Sequence, residues 1–175
     1  GGNDTISYRS IEFSIDGGTG NNTLLLRAAT TVNLGNADQT LGDLVTVTNF
    51  QNVDASQLVT GVSITGSAGT NLLTGGAGND TIDGAGGADV IAAGAGADTV
   101  TYNGTEASID GGIGSDTLVM AASGGTTAVN FAVAPGTDQT TGDVVGVTNF
   151  ENVDASALST ALTVTGSSSA NVITT

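Results

Sequence analysis

The chain has 175 residues, 17 of them Asp or Glu against two basic side chains, Arg9 and Arg27, for a net charge of −15 at pH 7. So acidic a surface argues against nucleic acid as a partner, because phosphate binding needs clustered Lys and Arg, and no apolar run reaches the roughly 20 residues of a transmembrane helix. His and Cys are absent, which leaves no imidazole base for a serine nucleophile, no disulfide and no thiolate or imidazole ligand for zinc or copper; the 38% hydrophobic but 3% aromatic composition suits a thin core of small apolar side chains.

Residues 1–25 open inside a nine-residue unit, Gly1-Gly2-Asn3-Asp4-Thr5, and the series Ile6, Ile15 and Leu24 keeps that period. Each unit has a glycine-rich half, where left-handed turns are accessible. Its other half alternates polar and apolar residues and predicts a short strand with one side chain facing inward. Two units then complete a coil of two facing strands, so residues eighteen apart stack on one edge. Asp4 and Asn22 share an edge by this spacing, with Gly17, Gly18 and Gly20 between them. Asn22 can offer a carbonyl oxygen but no charge, which predicts a weaker metal position in this partial roll.

Residues 26–65 contain the strand-like runs LVTVTNF and GVSIT between Asn, Asp, Gly and Ser turns, with no long amphipathic helix. They predict a larger, less regular β coil; the alternative is a small β-sandwich inserted between rolls. Phe50 beside Val53 reads as a core plug, Asp54 as a turn residue and Tyr8 as packing at an edge of the roll. Phe150, Val153, Asp154 and Tyr102 are their counterparts further along.

Residues 66–119 carry the strongest signal. From Gly75 to Val119, five units run in unbroken phase: GGAGNDTID, GAGGADVIA, AGAGADTVT, YNGTEASID and GGIGSDTLV. Their eighth places hold Ile82, Ile91, Val100, Ile109 and Leu118, and their sixth hold Asp80, Asp89, Asp98, Ala107 and Asp116. Stacking puts Asp80, Asp98 and Asp116 in one column, and Asn71, Asp89 and Ala107 on a poorer edge. Two unit charges ~4 Å apart repel by about 4 kcal/mol at an effective dielectric of about 20, and a chain without lysine cannot neutralise such a column. Calcium can, since it takes about six to eight oxygen ligands and accepts backbone carbonyls beside carboxylates.

The units resemble the nonapeptides of the RTX family, of pattern G-G-x-G-x-D-x-U-x. Gly75, Gly76, Gly78, Asp80 and Ile82 match every defined place, and Gly111, Gly112, Gly114, Asp116 and Leu118 do so again. The resemblance implies an all-β fold, a parallel β-roll or β-solenoid of RTX coils with interposed less regular β coils, and calcium held between turns on one edge. Carried over, it puts one calcium between the loops ending at Asp80 and Asp98, the latter containing Gly94 and Gly96, and a second between those ending at Asp98 and Asp116. Asp89 stands on the edge where weaker binding is expected.

Residues 120–165 are a second copy of the interposed segment, and 166–175 start a further, truncated roll. SIDGG from Ser14 recurs at Ser108, an offset of 94, and TNFQNVDAS from Thr48 recurs as TNFENVDAS from Thr148, an offset of 100. Both ends read as cuts through a longer repeat, without caps, so neighbouring copies or further repeats of the same protein are expected as partners.

These features predict a calcium-binding structural module of a large secreted protein on a bacterial cell surface, in an S-layer or filament, exported by the type I route that RTX resemblance implies. The alternatives are the extender of a giant RTX adhesin, the secretion and folding domain of an RTX enzyme, and a solenoid binding sugar or ice through its threonines. No catalysis is expected in this segment: histidine is absent and Glu12, Glu106 and Glu151 form no evident acid pair.

Overall fold

A computed structural model describes residues 1–122 and 124–175; Ser123, in the second interposed segment, lies outside them. Among the described residues every regular element is a strand, and no helix is long and apolar enough to cross a membrane. A seven-stranded sheet runs Thr5–Tyr8, Thr23–Leu26, Asn52–Asp54, Leu72–Thr74, Val90–Ala92, Ser108–Asp110, Gly146–Thr148. An eight-stranded sheet runs Thr40–Leu41, Thr31–Asn33, Ser63–Thr65, Thr81–Asp83, Thr99–Tyr102, Thr117–Met120, Asn152–Asp154, Ile173–Thr174. Through the nonapeptide block the chain alternates between them, three smaller sheets hold the remaining strands, and among the described residues pairing is parallel apart from two short hairpins.

The register of the nonapeptide block steps by eighteen residues: Leu72 pairs with Val90, Val90 with Ser108, Thr81 with Thr99 and Thr99 with Thr117. This is the β-roll that the nine-residue phase predicts. Because side chains alternate across a strand, the middle residue of each triplet turns inward. Leu73, Ile82, Ile91, Val100, Ile109 and Leu118 are all buried and belong to one core with residues of both interposed segments.

Among the described residues the interposed segments rejoin the same stack and form no separate sandwich, although the second copy's hairpin makes a three-stranded sheet of its own with Thr163–Thr165. Thr31–Asn33 pairs in parallel with Ser63–Thr65 and antiparallel with Thr40–Leu41, after which the chain doubles back so that Thr46–Thr48 pairs with Ser14–Asp16. Asn52–Asp54 then rejoins Thr23–Leu26. The second copy repeats the manoeuvre with Ala128–Asn130, Thr140–Thr141 and Thr163–Thr165.

A fully buried phenylalanine fills each widened coil, Phe50 in one and Phe150 in the other. Its backbone is held by a glutamine eleven residues earlier. Gln39 Nε2 donates to the Phe50 carbonyl at 2.8 Å while Oε1 accepts the Phe50 amide at 2.8 Å, and Gln139 does the same for Phe150. Burying these polar groups would otherwise cost about 1–3 kcal/mol each. Tyr8 and Tyr102 lie in the core and not at an edge, because Asp43 and Asp143 accept their hydroxyl protons at 2.7 and 2.6 Å.

The two copies present opposite sides of the roll. Asn52–Asp54 sits in the seven-stranded sheet, whereas its counterpart Asn152–Asp154 sits in the eight-stranded one. An odd number of half-coils therefore separates the copies.

Candidate metal centre

The glycine loops preceding Asp80, Asp98 and Asp116 stack directly upon one another. Ala95 donates its amide to the Gly76 carbonyl at 2.9 Å, Ile113 to the Gly94 carbonyl at 2.8 Å, and Gly96 pairs with Gly114 in a short parallel ribbon. Gly94 and Gly112 have φ of 110° and 92°, and a Cβ on either would strike the glycine carbonyl of the coil before it. The close carbonyl stacking thus requires glycine at both places.

Asp80, Asp98 and Asp116 are buried at 1%, 1% and 0% exposure, and Asp89 at 0% on the other edge. Each reaches back one coil with Oδ1. Asp80 accepts the Val62 amide at 2.9 Å, Asp98 the Asp80 amide at 2.7 Å, Asp116 the Asp98 amide at 2.8 Å and Asp89 the Asn71 amide at 2.8 Å. Their second oxygens differ. Asp80 Oδ2 accepts the Gly76 amide at 2.6 Å, but Asp89, Asp98 and Asp116 each bury an Oδ2 with no hydrogen-bond partner.

An unpaired buried carboxylate oxygen is costly. Burial pushes the Asp89 and Asp98 carboxyls above the usual range, and burial together with the charges of Asp98, Glu151 and Asp110 pushes Asp116 up to about 6 despite the Asp98 amide it accepts. No three acidic side chains gather into one cluster among the described residues, so each carboxylate would share a cation chiefly with the carbonyls of its glycine loop. The donor set therefore fits a hard cation held by a carboxylate among backbone carbonyls, the chemistry calcium accepts.

Residues 65–100 match the RTX calcium-binding nonapeptide repeat in four copies. Those residues form an RTX β-roll. No curated protein matches the chain. The RTX match contains Gly75, Gly76, Gly78, Asp80, Asp89, Gly94, Gly96 and Asp98, whereas Gly111, Gly112, Gly114, Asp116, Asp4 and Asn22 lie outside it. Structurally the Gly111 to Asp116 loop continues the RTX stack by one coil.

The asparagine positions are closed differently. Asp4 is exposed and meets Asn22 only through its amide, which donates to Asn22 Oδ1 at 3.0 Å. Asn22 is fully buried, and its Nδ2 donates to the Asn49 carbonyl at 3.0 Å and the Gly18 carbonyl at 3.4 Å. Asn71 spends its amide similarly, accepting from Ser67 at 2.7 Å and donating to the Gln51 carbonyl at 2.6 Å. An amide proton thus faces carbonyl oxygen at these asparagines, whereas Asp89, Asp98 and Asp116 leave an oxygen bare.

Two acidic residues join these edges without belonging to the nonapeptide pattern. Glu106, 2% exposed, lies near enough to help raise Asp89, but its own oxygens already accept the amides of Asn103, Gly104 and Thr105. Glu151 Oε2 accepts the Asp116 amide at 2.8 Å and continues the ladder by one rung. Its sequence signal is the single difference between TNFQNVDAS and TNFENVDAS. Asp54 and Asp154 fix turns, accepting the amides of Ser56 at 2.9 Å and Ser156 at 3.0 Å.

Proposed function

We propose that the chain is a calcium-binding structural repeat module of a large secreted bacterial cell-surface protein, folding and assembling on calcium in an S-layer or filament. The observation that carries this reading is the set of buried, unpartnered Oδ2 atoms of Asp89, Asp98 and Asp116 in a parallel roll whose residues 65–100 match a calcium-binding repeat. Calcium supplies the missing positive charge, and the carboxylates and glycine loops hold it. Affinities of about 10⁻⁴ to 10⁻³ M, usual for extracellular modules, would leave the sites empty in cytosol and fill them outside the cell.

The long-range duplication supports a structural role over catalysis. Copies that repeat the interposed hairpin as well as the roll, and show opposite sides in turn, suit a two-sided rod able to contact like copies on either side. Electron microscopy of the purified chain in chelator and then in millimolar calcium tests this. Ordered sheets or filaments on calcium addition are expected. Dispersed rods would replace the lattice reading with that of an adhesin spacer.

A further inference from the structure

The first and second copies build the same frame where the chain leaves the roll for the interposed segment, and dress it differently. Glu12 accepts the Arg9 and Ile11 amides at 3.0 and 3.2 Å, and Glu106 accepts those of Asn103 and Thr105 at 2.8 and 3.1 Å. Arg27 donates its amide to the Tyr8 carbonyl at 2.8 Å, and Ala121 to that of Tyr102 at 3.0 Å. Asp43 accepts the hydroxyls of Tyr8 and Thr30 at 2.7 and 3.3 Å, and Asp143 those of Tyr102 and Thr126, both at 2.6 Å. The Thr46 amide reaches the Phe13 carbonyl as the Gly146 amide reaches that of Ala107, both at 3.4 Å. In the first copy these bonds tie residues 9–13, 27–30 and 43–46 to one another.

The outward side chains on this frame change class between the copies. Arg9, Ile11, Phe13, Arg27 and Leu44 are replaced by Asn103, Thr105, Ala107, Ala121 and Val144. Ile11, Phe13 and Leu44 are 82%, 92% and 97% exposed, and both arginines are exposed beside them. Thr105 and Ala107 are exposed too, although the strand that follows them is paired on both sides, and Val144 is 93% exposed. Exposure therefore belongs to the positions, and the frame folds as well with small or polar residues there. Large apolar side chains gathered in water mark a contact surface. This one also holds every basic side chain of the protein, since no Lys or Arg occurs from Ala28 to Thr175.

We infer that Arg9, Ile11, Phe13, Arg27 and Leu44 form a docking surface for a second molecule of this chain, which they meet on a carboxylate-bearing face. Charge selects that occupant and that pairing. Patch against patch would bring the arginines of both molecules together, whereas the rest of a chain of net charge −15 is acidic. Asp54, Asp83, Asp110 and Asp154 stand half-buried at outward strand ends, each spending Oδ1 on the amide two residues on. Guanidinium groups pair well with such carboxylates. A contact between unlike surfaces does not close on itself as a two-fold dimer does, and it propagates into rows. This surface rests on the assembly reading above and names the place where assembly occurs.

Sedimentation of the whole chain in millimolar calcium, over a range of concentrations, tests it. The parent should grow in mass past a dimer. A variant given the second copy's side chains, Arg9→Asn, Ile11→Thr, Phe13→Ala, Arg27→Ala and Leu44→Val, should keep the parent's circular dichroism and lose self-association. Phe13→Ala alone should weaken association about tenfold or more, and it decides the matter should the combined variant fail to fold. Mixed with the parent, the combined variant should shorten the assemblies, because it offers the acidic face without the patch. Equal association of parent and variants overturns the surface and leaves the assembly reading standing. A parent that stops at a dimer overturns the unlike pairing. A parent monomeric throughout overturns both readings, and its binding to phosphatidylglycerol vesicles, lost in the combined variant, would give the patch to a lipid surface instead.

Discussion

Removing calcium with excess chelator is expected to unfold residues 66–119, seen as lost β circular dichroism and rapid hydrogen exchange from Gly75 to Val119. The Oδ2 atoms of Asp89, Asp98 and Asp116 are then left buried and unpaired, each beside the charge of at least one other carboxylate, with nothing to balance them. Each independent site held at ten times its Kd adds about 1.4 kcal/mol to the folded state. Three such sites approach a large part of the stability of an ordinary small domain, roughly 5–15 kcal/mol. The coil joined by Asn22 should exchange more slowly than the carboxylate coils under the same conditions. Protons can partly stand in for calcium. All three carboxyls are raised in the fold, with Asp116 at about 6, so the folded chain binds more protons than the unfolded one between the ordinary carboxylate range and that value. Stability in chelator should therefore fall as pH rises through this window and be greater at pH 5 than at pH 7. Unaltered dichroism and melting temperature in chelator at pH 7 would rule out this dependence on calcium.

Asp98→Ala is expected to lower calcium stoichiometry and melting temperature in millimolar calcium more than Asp89→Ala. Asp98 has neighbours on both sides, taking the Asp80 amide with Oδ1 and donating its own amide to Asp116, while its free Oδ2 remains for a cation. Its removal breaks the column in the middle. Asp89 stands alone between Asn71, which spends its amide on the Gln51 carbonyl, and a Glu106 whose oxygens are taken by backbone amides. Its loss should subtract one site at most. Equal loss of calcium in the two variants would count against the difference between the edges.

The nine-residue phase makes the roll legible in the amino-acid sequence alone. It implies the eighteen-residue register, the inward series from Leu73 to Leu118 and the stacking of Asp80, Asp98 and Asp116, because period-two strands and glycine turns leave few other ways to bury one apolar residue per unit. Phe50 and Phe150 are equally readable as plugs, being bulky and repeated in a chain poor in aromatics. The hairpins of the interposed segments are not legible. They depend on Gln39 and Gln139 capping a phenylalanine backbone eleven residues away, a polar role that leaves no hydrophobic period. Tyr8 and Tyr102 look like edge residues in the sequence because their partners, Asp43 and Asp143, lie 35 and 41 residues on. The division of labour between asparagine and aspartate is hidden for a similar reason. Both residue types suit the same turn, and only the fold shows that Asn22 and Asn71 spend their side-chain protons on carbonyls while Asp89, Asp98 and Asp116 keep an oxygen unpaired.

Whether a cation completes the buried carboxylates can be read straight from calcium calorimetry on the intact chain at pH 7. Saturable binding of several calcium ions per chain in the micromolar to millimolar range is expected, with β structure gained as the sites fill. No detectable binding at millimolar calcium, in a chain already fully folded, would refute a metal role for Asp89, Asp98 and Asp116.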